Sequence, residues 1–280
     1  MGPNLASKIM AADVDPISYL PNSYSGSMFL QPVSTDEVYR AINNLNCNKS
    51  CGYDDISPRP IKAVADILCI PLTTIFNMSF ENGTFPSLMK IAKVVPIFKK
   101  GDKQMVSNYR PVSLLPLFSK LLEKLFSVRL LDYIKKNDIL YRGQYGFREK
   151  CSTQDAITDL VENITRAIDN NEFTIGIFID LSKAFDTIDH QLLLRKLKYY
   201  GVRGIVNKWI KCYLSNRFQF VTNNNVNSSK EKIVCGVPQG SILGPILFLI
   251  YINDLYKVST VMRFIIFADD TNMLLSGKNV

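Results

Sequence analysis

The chain has 280 residues, 47% of them hydrophobic and 21% charged, with 33 Lys/Arg against 25 Asp/Glu and a formal net charge of +8. That length suffices for a sizeable core in one domain or two subdomains, and the composition excludes a disordered, collagen-like or repeat protein. The longest apolar stretch, Ile242 to Ile252, is interrupted by Gly244 and Pro245 and is too short for a bilayer, so neither a membrane span nor a membrane partner is expected.

In chain order, residues 1–33 lack a clear period and read as an N-terminal extension. They contain no basic, then apolar, leader, and Ala6 spoils a myristoylation signal, so an intracellular location, nuclear or cytoplasmic, is expected. Ser34-Thr-Asp-Glu37 reads as a capping box opening a helix through Val38, Ile42 and Leu45. Ser57-Pro-Arg-Pro60 leads into an apolar helix from Ile61 to about Glu81, closed by Gly83-Thr-Phe-Pro86. Ala92 to Phe98 is strand-like and runs into the polar turn Lys99-Lys-Gly-Asp102.

A basic helix follows from about Phe118 to Asn137, with Leu121, Leu122, Leu125, Phe126 and Leu130 on one face and its cations expected on the other. Another helix spans Thr153 to Asn170. Phe173 to Asp180 reads as a buried strand ending in a carboxylate, and an amphipathic helix runs from about Asp189 to Tyr200. Arg263 to Leu275 carries Asp269 and Asp270 between two apolar runs, the pattern of a hairpin. An ordinary polar turn would satisfy that pattern. Adjacent carboxylates on a tight turn also repel one another unless a divalent cation neutralises them, and Asp180 would be the third ligand of such a site.

Charge is uneven along the chain. Residues 90–150 hold 14 Lys/Arg and five Asp/Glu, a balance of +9, whereas the remainder is nearly neutral. One basic region on a neutral protein suggests a polyanion track, although a helix can simply carry a solvated charged face. The six cysteines are scattered, and Cys47 and Cys51 have no neighbouring Cys or His to complete a zinc site, so free thiols are expected. The single histidine, His190, falls at a helix start and reads as a cap or packed side chain rather than a general base.

Six segments, in order, carry a resemblance: Lys99-Lys-Gly-Asp102; Asn108-Tyr-Arg-Pro-Val-Ser-Leu-Leu-Pro116; Gln144-Tyr-Gly-Phe-Arg148 with Ser152-Thr153; Ile179-Asp-Leu-Ser-Lys-Ala-Phe-Asp186; Gly236-Val-Pro-Gln-Gly-Ser-Ile-Leu-Gly-Pro245; and Phe267-Ala-Asp-Asp270. The chain resembles the reverse transcriptases of non-LTR, LINE-type and jockey-like, retrotransposons. The resemblance implies an α+β right-hand polymerase fold, with an extension at 1–33, helical basic fingers at 34–170, and a palm with an antiparallel sheet at 171–280. Residues 201–235 would be an intervening insertion, and the thumb would be missing.

It implies RNA-directed DNA synthesis from deoxynucleoside triphosphates on an RNA template and DNA primer, with two Mg²⁺ ions or substituting Mn²⁺. Asp180, Asp269 and Asp270 would be the catalytic metal ligands, supplemented by the Leu181 carbonyl. Lys99, Lys100, Arg110, Phe185, Gln239 and Gly240 would hold the nucleotide, Phe185 as a steric gate against the ribose 2′-hydroxyl. Lys120, Lys124, Arg129 and Arg148 would contact nucleic acid. Two other readings remain open: a retroelement-derived nucleic-acid-binding protein with idle carboxylates, and a metal nuclease using the same acids. Without the later palm and thumb motifs of the family, residues 1–280 alone are expected to extend a primer poorly; their oligomeric state is left open.

Overall fold

The computed structural model describes residues 14–20, 23–224 and 226–278. The leader expected to be absent from the first ten residues therefore lies outside the described part. After a short 3-10 turn at Pro16–Tyr19, residues 23–33 form no helix or strand and bury Met28, Leu30 and Val33. Helix α1 (Thr35–Asn43) opens with the expected capping box, Ser34 and Glu37 each accepting from the other's backbone N–H. Its Val38 and Ile42 are fully buried.

The expected single helix from Ile61 to Glu81 is two, α2 (Pro58–Ala63) and α3 (Ala65–Asn82), because Val64 leaves the helical region at φ −120°, ψ 23°. Gly83 closes α3 in the left-handed conformation, where a glycine is least strained. Strands β1 (Ile91–Phe98) and β2 (Tyr109–Leu114) form an antiparallel pair around the Lys99–Asn108 connection. Helices α4 (Leu117–Lys136) and α5 (Thr153–Asp169) and strand β3 (Phe173–Ile179) follow. Then come α6 (His190–Tyr199), α7 (Gly204–Leu214), β4 (Arg217–Asn223), β5 (Val226–Asn227), β6 (Glu231–Ile233), α8 (Leu243–Ile252) and the hairpin β7 (Arg263–Phe267) and β8 (Asp270–Gly277).

Two sheets result. The first has the order β2-β1-β4-β5, with β6 also on β4 and a parallel β1–β4 pairing. Strands β4, β5 and β6, within the stretch 201–235 expected to be an insertion, belong to this sheet. The second, β3-β8-β7, is antiparallel throughout. Mixed helix and sheet in one chain makes the fold α+β.

The core is drawn mostly from the helices. Trp209 of α7 stacks on Phe126 of α4, with centroids 4.0 Å apart, and its Nε1 donates to Ser79 Oγ at 2.9 Å. Apolar on every side, α8 runs through this core with nearly all its residues buried, as such a helix must.

Two burial expectations are corrected. Helix α4 is not apolar on one face and charged on the other: Ser119, Glu123 and Ser127 are buried with its leucines, because α1, α8 and the 3-10 turn at Ser87–Lys90 pack around it. Strand β3 is not buried: among the described residues it is an edge strand bonded only to β8, and Phe173, Ile175, Ile177, Phe178 and Ile179 are all exposed.

Candidate active site

Strands β7 and β8 meet in a two-residue turn, Ala268-Asp269, closed by the Phe267–Asp270 pair. Ala268 has φ +58°, a left-handed value that a non-glycine residue adopts at a cost of about 1–3 kcal/mol and only when its surroundings enforce it. The enforcing group is Gln144. Its Oε1 accepts from Ala268 N at 2.9 Å and from Gly146 N at 2.8 Å, while its Nε2 donates to Ala268 O at 3.2 Å. Both backbone groups of the strained residue are thus held by one buried amide. Gly146 permits the approach, because a Cβ there would lie 2.1 Å from Ala268 N.

Beside the hairpin, Tyr145 donates to Asp159 Oδ2 of α5 at 2.9 Å, and Arg263 donates to Asp159 Oδ1 at 2.8 Å. Burial, and then this bond, push the Tyr145 phenol up to about 12, so it remains a donor at any working pH. The Gln144-Tyr-Gly segment therefore anchors the hairpin at its tip and side, a role the sequence reading did not assign to Gln144. Its signal was present in the recognised motif, but spacing alone does not say what an amide will grip.

Ile179 pairs with Thr271 in the β3–β8 ladder. Asp180 directly follows Ile179 and Asp270 directly precedes Thr271, so the two carboxylates adjoin the last pair of that ladder. Both line one open cleft of about 450 Å³, walled by Phe178, Phe267, Ala156 and Leu160. Asp269 occupies the turn itself. Asp180 and Asp270 are exposed and Asp269 half-buried. Among the described residues no group of three His, Cys, Asp or Glu side chains is placed to hold a metal ion, so the expected gathering of Asp180, Asp269 and Asp270 is not found; Asp180 and Asp270 share the cleft. What the hairpin offers is an open, hard-oxygen donor set, which suits Mg²⁺, an ion that takes one or two carboxylates and fills its remaining positions with water and substrate phosphates.

A second cluster adjoins the turn after β3. Phe185 stacks on Phe248 of α8 at 4.9 Å and meets Phe147 edge-on at 5.8 Å. Gln239 Nε2 donates to Asp186 Oδ1 at 3.2 Å, and Gln239 O accepts from Ser113 N of β2 at 2.7 Å. Burial raises the Asp186 carboxyl above its ordinary value, and the Gln239 bond partly offsets this. Gly240 has φ +116°, and a Cβ would lie 2.7 Å from Ser113 O. Asp186, quoted within the motif but given no role, is thus the partner that orients Gln239. Lys99, Lys100 and Arg110 are exposed on the β1–β2 hairpin, whose Ser113 holds this loop. Leu181 is half-buried against the core.

The basic residues divide. Lys120 and Lys124, with Arg40 and Lys49, line a groove of about 400 Å³ floored by Leu45, Ile56 and Leu121. Burial, then repulsion from Lys49, depress the Lys120 ammonium below its ordinary value. Arg129 is not available to a phosphate: its five N–H donors go to Gln31 O, Pro32 O, Leu125 O and both Glu37 oxygens at 2.6–3.2 Å, which corrects its expected role. Arg148 donates through Nη1 to Tyr141 O and Gln144 O, both at 3.0 Å, bracing the clamp loop rather than projecting from it. His190 is packed as expected, its Nε2 2.7 Å from Gly236 O. All six cysteines are free.

The chain thus joins an antiparallel sheet that presents carboxylates at a hairpin tip to a loop in which Gln239 is held by Asp186. The family model described as reverse transcriptase (RNA-dependent DNA polymerase) matches residues 97–280, and the chain belongs to that family. It is 33% identical over 266 residues to the probable RNA-directed DNA polymerase from transposon BS of Drosophila melanogaster, an alignment covering 90% of this chain and 29% of that protein. It is 32% identical over 270 residues to the RNA-directed DNA polymerase from mobile element jockey of the same species, covering 94% and 29%. The jockey protein of Drosophila funebris is 33% identical over 225 residues, covering 80% and 24%. The match is thus to non-LTR retrotransposon reverse transcriptases, and the chain spans less than a third of the length of these relatives. No described helix is long and apolar enough to cross a membrane.

Proposed function

We propose that this chain supplies the catalytic part of an RNA-directed DNA polymerase, adding deoxynucleotides to a primer 3′-hydroxyl on an RNA template. The observation that carries the reading is the β3–β8 register, which sets Asp180 and Asp270 on one cleft with Asp269 on the clamped turn between β7 and β8. Asp180, Asp269 and Asp270 would hold Mg²⁺, with the Leu181 carbonyl as a further donor. When bound, paired Mg²⁺ ions lower the proton affinity of the attacking hydroxyl and neutralise charge on the leaving group.

The chain's own groups do the remaining work. Lys99, Lys100 and Arg110, exposed on one hairpin, suit the triphosphate, and Arg can grip it bidentately. Gln239 and Gly240 form a surface against which base and sugar pack, and Phe185 closes the 2′ side. The apolar-floored groove with Lys120 and Lys124 suits a nucleic-acid strand, its cations meeting phosphates and its floor the bases. In this reading the division into fingers and palm follows the two sheets.

Primer extension on an RNA template with Mg²⁺ and deoxynucleotides tests the proposal. Incorporation abolished by Asp180→Ala and by Asp269→Ala is expected. Incorporation that survives either change, or strand cleavage without nucleotides, would overturn it.

A further inference from the structure

Glu123 lies in the middle of the basic helix α4 and is completely buried. A carboxylate in that position requires partners, and they come from a distant part of the chain. Ser119 Oγ donates to its Oε1 at 3.1 Å, while Ile242 N and Leu243 N donate to its Oε2 at 2.8 and 3.3 Å. Those two N–H groups are the unpaired donors at the start of α8, whose own N-cap residue, Ile242, has no side chain able to accept them. Glu123 therefore caps α8 from 119 residues away in sequence. Arg217, also buried, lies close enough to act electrostatically on Glu123, with its guanidinium 4.7 Å over the Tyr213 ring and Nη1 donating to Tyr213 O at 3.1 Å.

What this cap holds in place is chemically informative. The residues immediately before it are the Pro238-Gln-Gly-Ser241 loop, joined to the helix start by the Gly244 N–H donating to Ser241 Oγ at 3.0 Å. One turn into α8 is Phe248, the platform on which Phe185 stacks at 4.9 Å. Both faces of the nucleotide cluster thus depend on where α8 begins. On the same helix α4, Lys120 and Lys124 flank Glu123 in sequence and line the basic groove.

We infer that Glu123 is a positioning residue for nucleotide selection, fixing the N-terminus of α8 so that Gln239 and Phe185 stand at a set separation around the incoming sugar, and linking that separation to the helix that carries the groove lysines. This rests on the polymerase reading above. Glu123 touches neither nucleotide nor carboxylate site and acts only through the α8 backbone.

The test uses the full chain carrying Glu123→Ala or Glu123→Gln, the latter retaining one carbonyl acceptor. Amide hydrogen exchange is measured across 236–244 and across α1 as a distant reference. Deoxynucleotide KM and kcat, the ribo-to-deoxyribonucleotide ratio and primer–template affinity are measured in parallel. Glu123→Ala should speed exchange at Ile242 and Leu243 about tenfold, in line with loss of a helix cap, while α1 is unchanged. It should raise deoxynucleotide KM about tenfold with kcat less affected, and weaken sugar discrimination several-fold. Primer–template affinity should hold, and Glu123→Gln should recover most of each effect.

Exchange at 236–244 matching the unsubstituted chain would overturn the inference, as would local loosening that leaves both KM and sugar discrimination untouched. Faster exchange throughout, α1 included, would overturn it in favour of a general stabilising role. If the unsubstituted chain cleaves strands without nucleotides, the polymerase reading fails, and the exchange measurement alone decides whether Glu123 fixes the loop.

Discussion

At the residue scale the site is built on constraint. Gln144 holds the amide and carbonyl of Ala268 at φ +58°, so Asp269 and Asp270, which follow it, inherit their direction from an amide more than a hundred residues away. Gln144→Leu would leave Ala268 N and Gly146 N buried without acceptors, a loss of about 1–3 kcal/mol in stability. Misplacing the reacting groups by about 1 Å can cost about a hundredfold in rate. The expected outcome is kcat for nucleotide incorporation reduced about a hundredfold with primer–template affinity unchanged, measured alongside urea denaturation. Phe185→Ala should admit ribonucleotides while keeping deoxynucleotide incorporation, read as the ratio of the two kcat/KM values; its ring stacks on Phe248, so some stability is lost as well. Lys120 supplies a pH test. Burial and Lys49 depress its ammonium, so its charge disappears at a lower pH than that of an ordinary lysine as the solution is made alkaline. Polyanion affinity should begin to fall correspondingly early, and Lys120→Arg should remove that early fall while Lys120→Ala lowers the salt slope by about 0.7–0.9.

At the element scale, Arg129 shows how a cation can be structural. Four of its hydrogen bonds tie the Gln31-Pro32 segment to Glu37 at the start of α1, and its pair with Glu37 supports the capping box. Burial acts to raise the Glu37 carboxyl, but the bonds and charge of Arg129 and the Ser34 amide outweigh it and hold the group below its ordinary value. A depressed folded-state value means that the stabilisation is present above the unfolded carboxylate range, near about pH 4.3, and is lost as pH falls through the lower folded value. Arg129→Ala should cost about 1–3 kcal/mol near neutral pH, shown by a lower urea midpoint, and should flatten the acid limb of the stability profile. The same residue marks what a sequence conceals. Capping box, hairpin, helix ends and the ordered motifs were legible because each is local, a matter of side-chain type at fixed spacing. Where Arg129 and Glu123 point was not legible, because both lie on α4 and their partners come from segments 92 and 119 residues away. The β3 error has a similar cause: an apolar run reports affinity for a covered sheet, but whether both faces are covered depends on what lies alongside.

At the scale of the whole molecule, that exposure has a consequence. Among the described residues β3 bonds to β8 on one side only, leaving a row of backbone donors and acceptors open on the other. Along it Phe173 is 62% exposed, Ile175 47%, Ile177 41% and Phe178 68%. An open edge flanked by apolar side chains on both faces is a template for pairing with another strand, and β3 carries none of the charges, prolines or bulges that normally protect such an edge. The open hydrogen-bonding row supplies direction, and the apolar side chains supply the driving force at about 25 cal/mol per Å² covered. Two copies of the chain should therefore associate edge to edge through β3. Sedimentation velocity over rising concentration should show a reversible shift from monomer to dimer, weakly dependent on salt because the contact is apolar. Ile177→Lys places a charge on this strand and should hold the chain monomeric over the same range, with its helical content unchanged by circular dichroism. A dimer that persists in Ile177→Lys, or that dissolves in high salt, would assign the contact to the basic groove instead of β3. Because β3 ends at Asp180, pairing along it would also crowd the mouth of the carboxylate cleft, so nucleotide incorporation per mole of chain should fall as concentration rises and recover in Ile177→Lys.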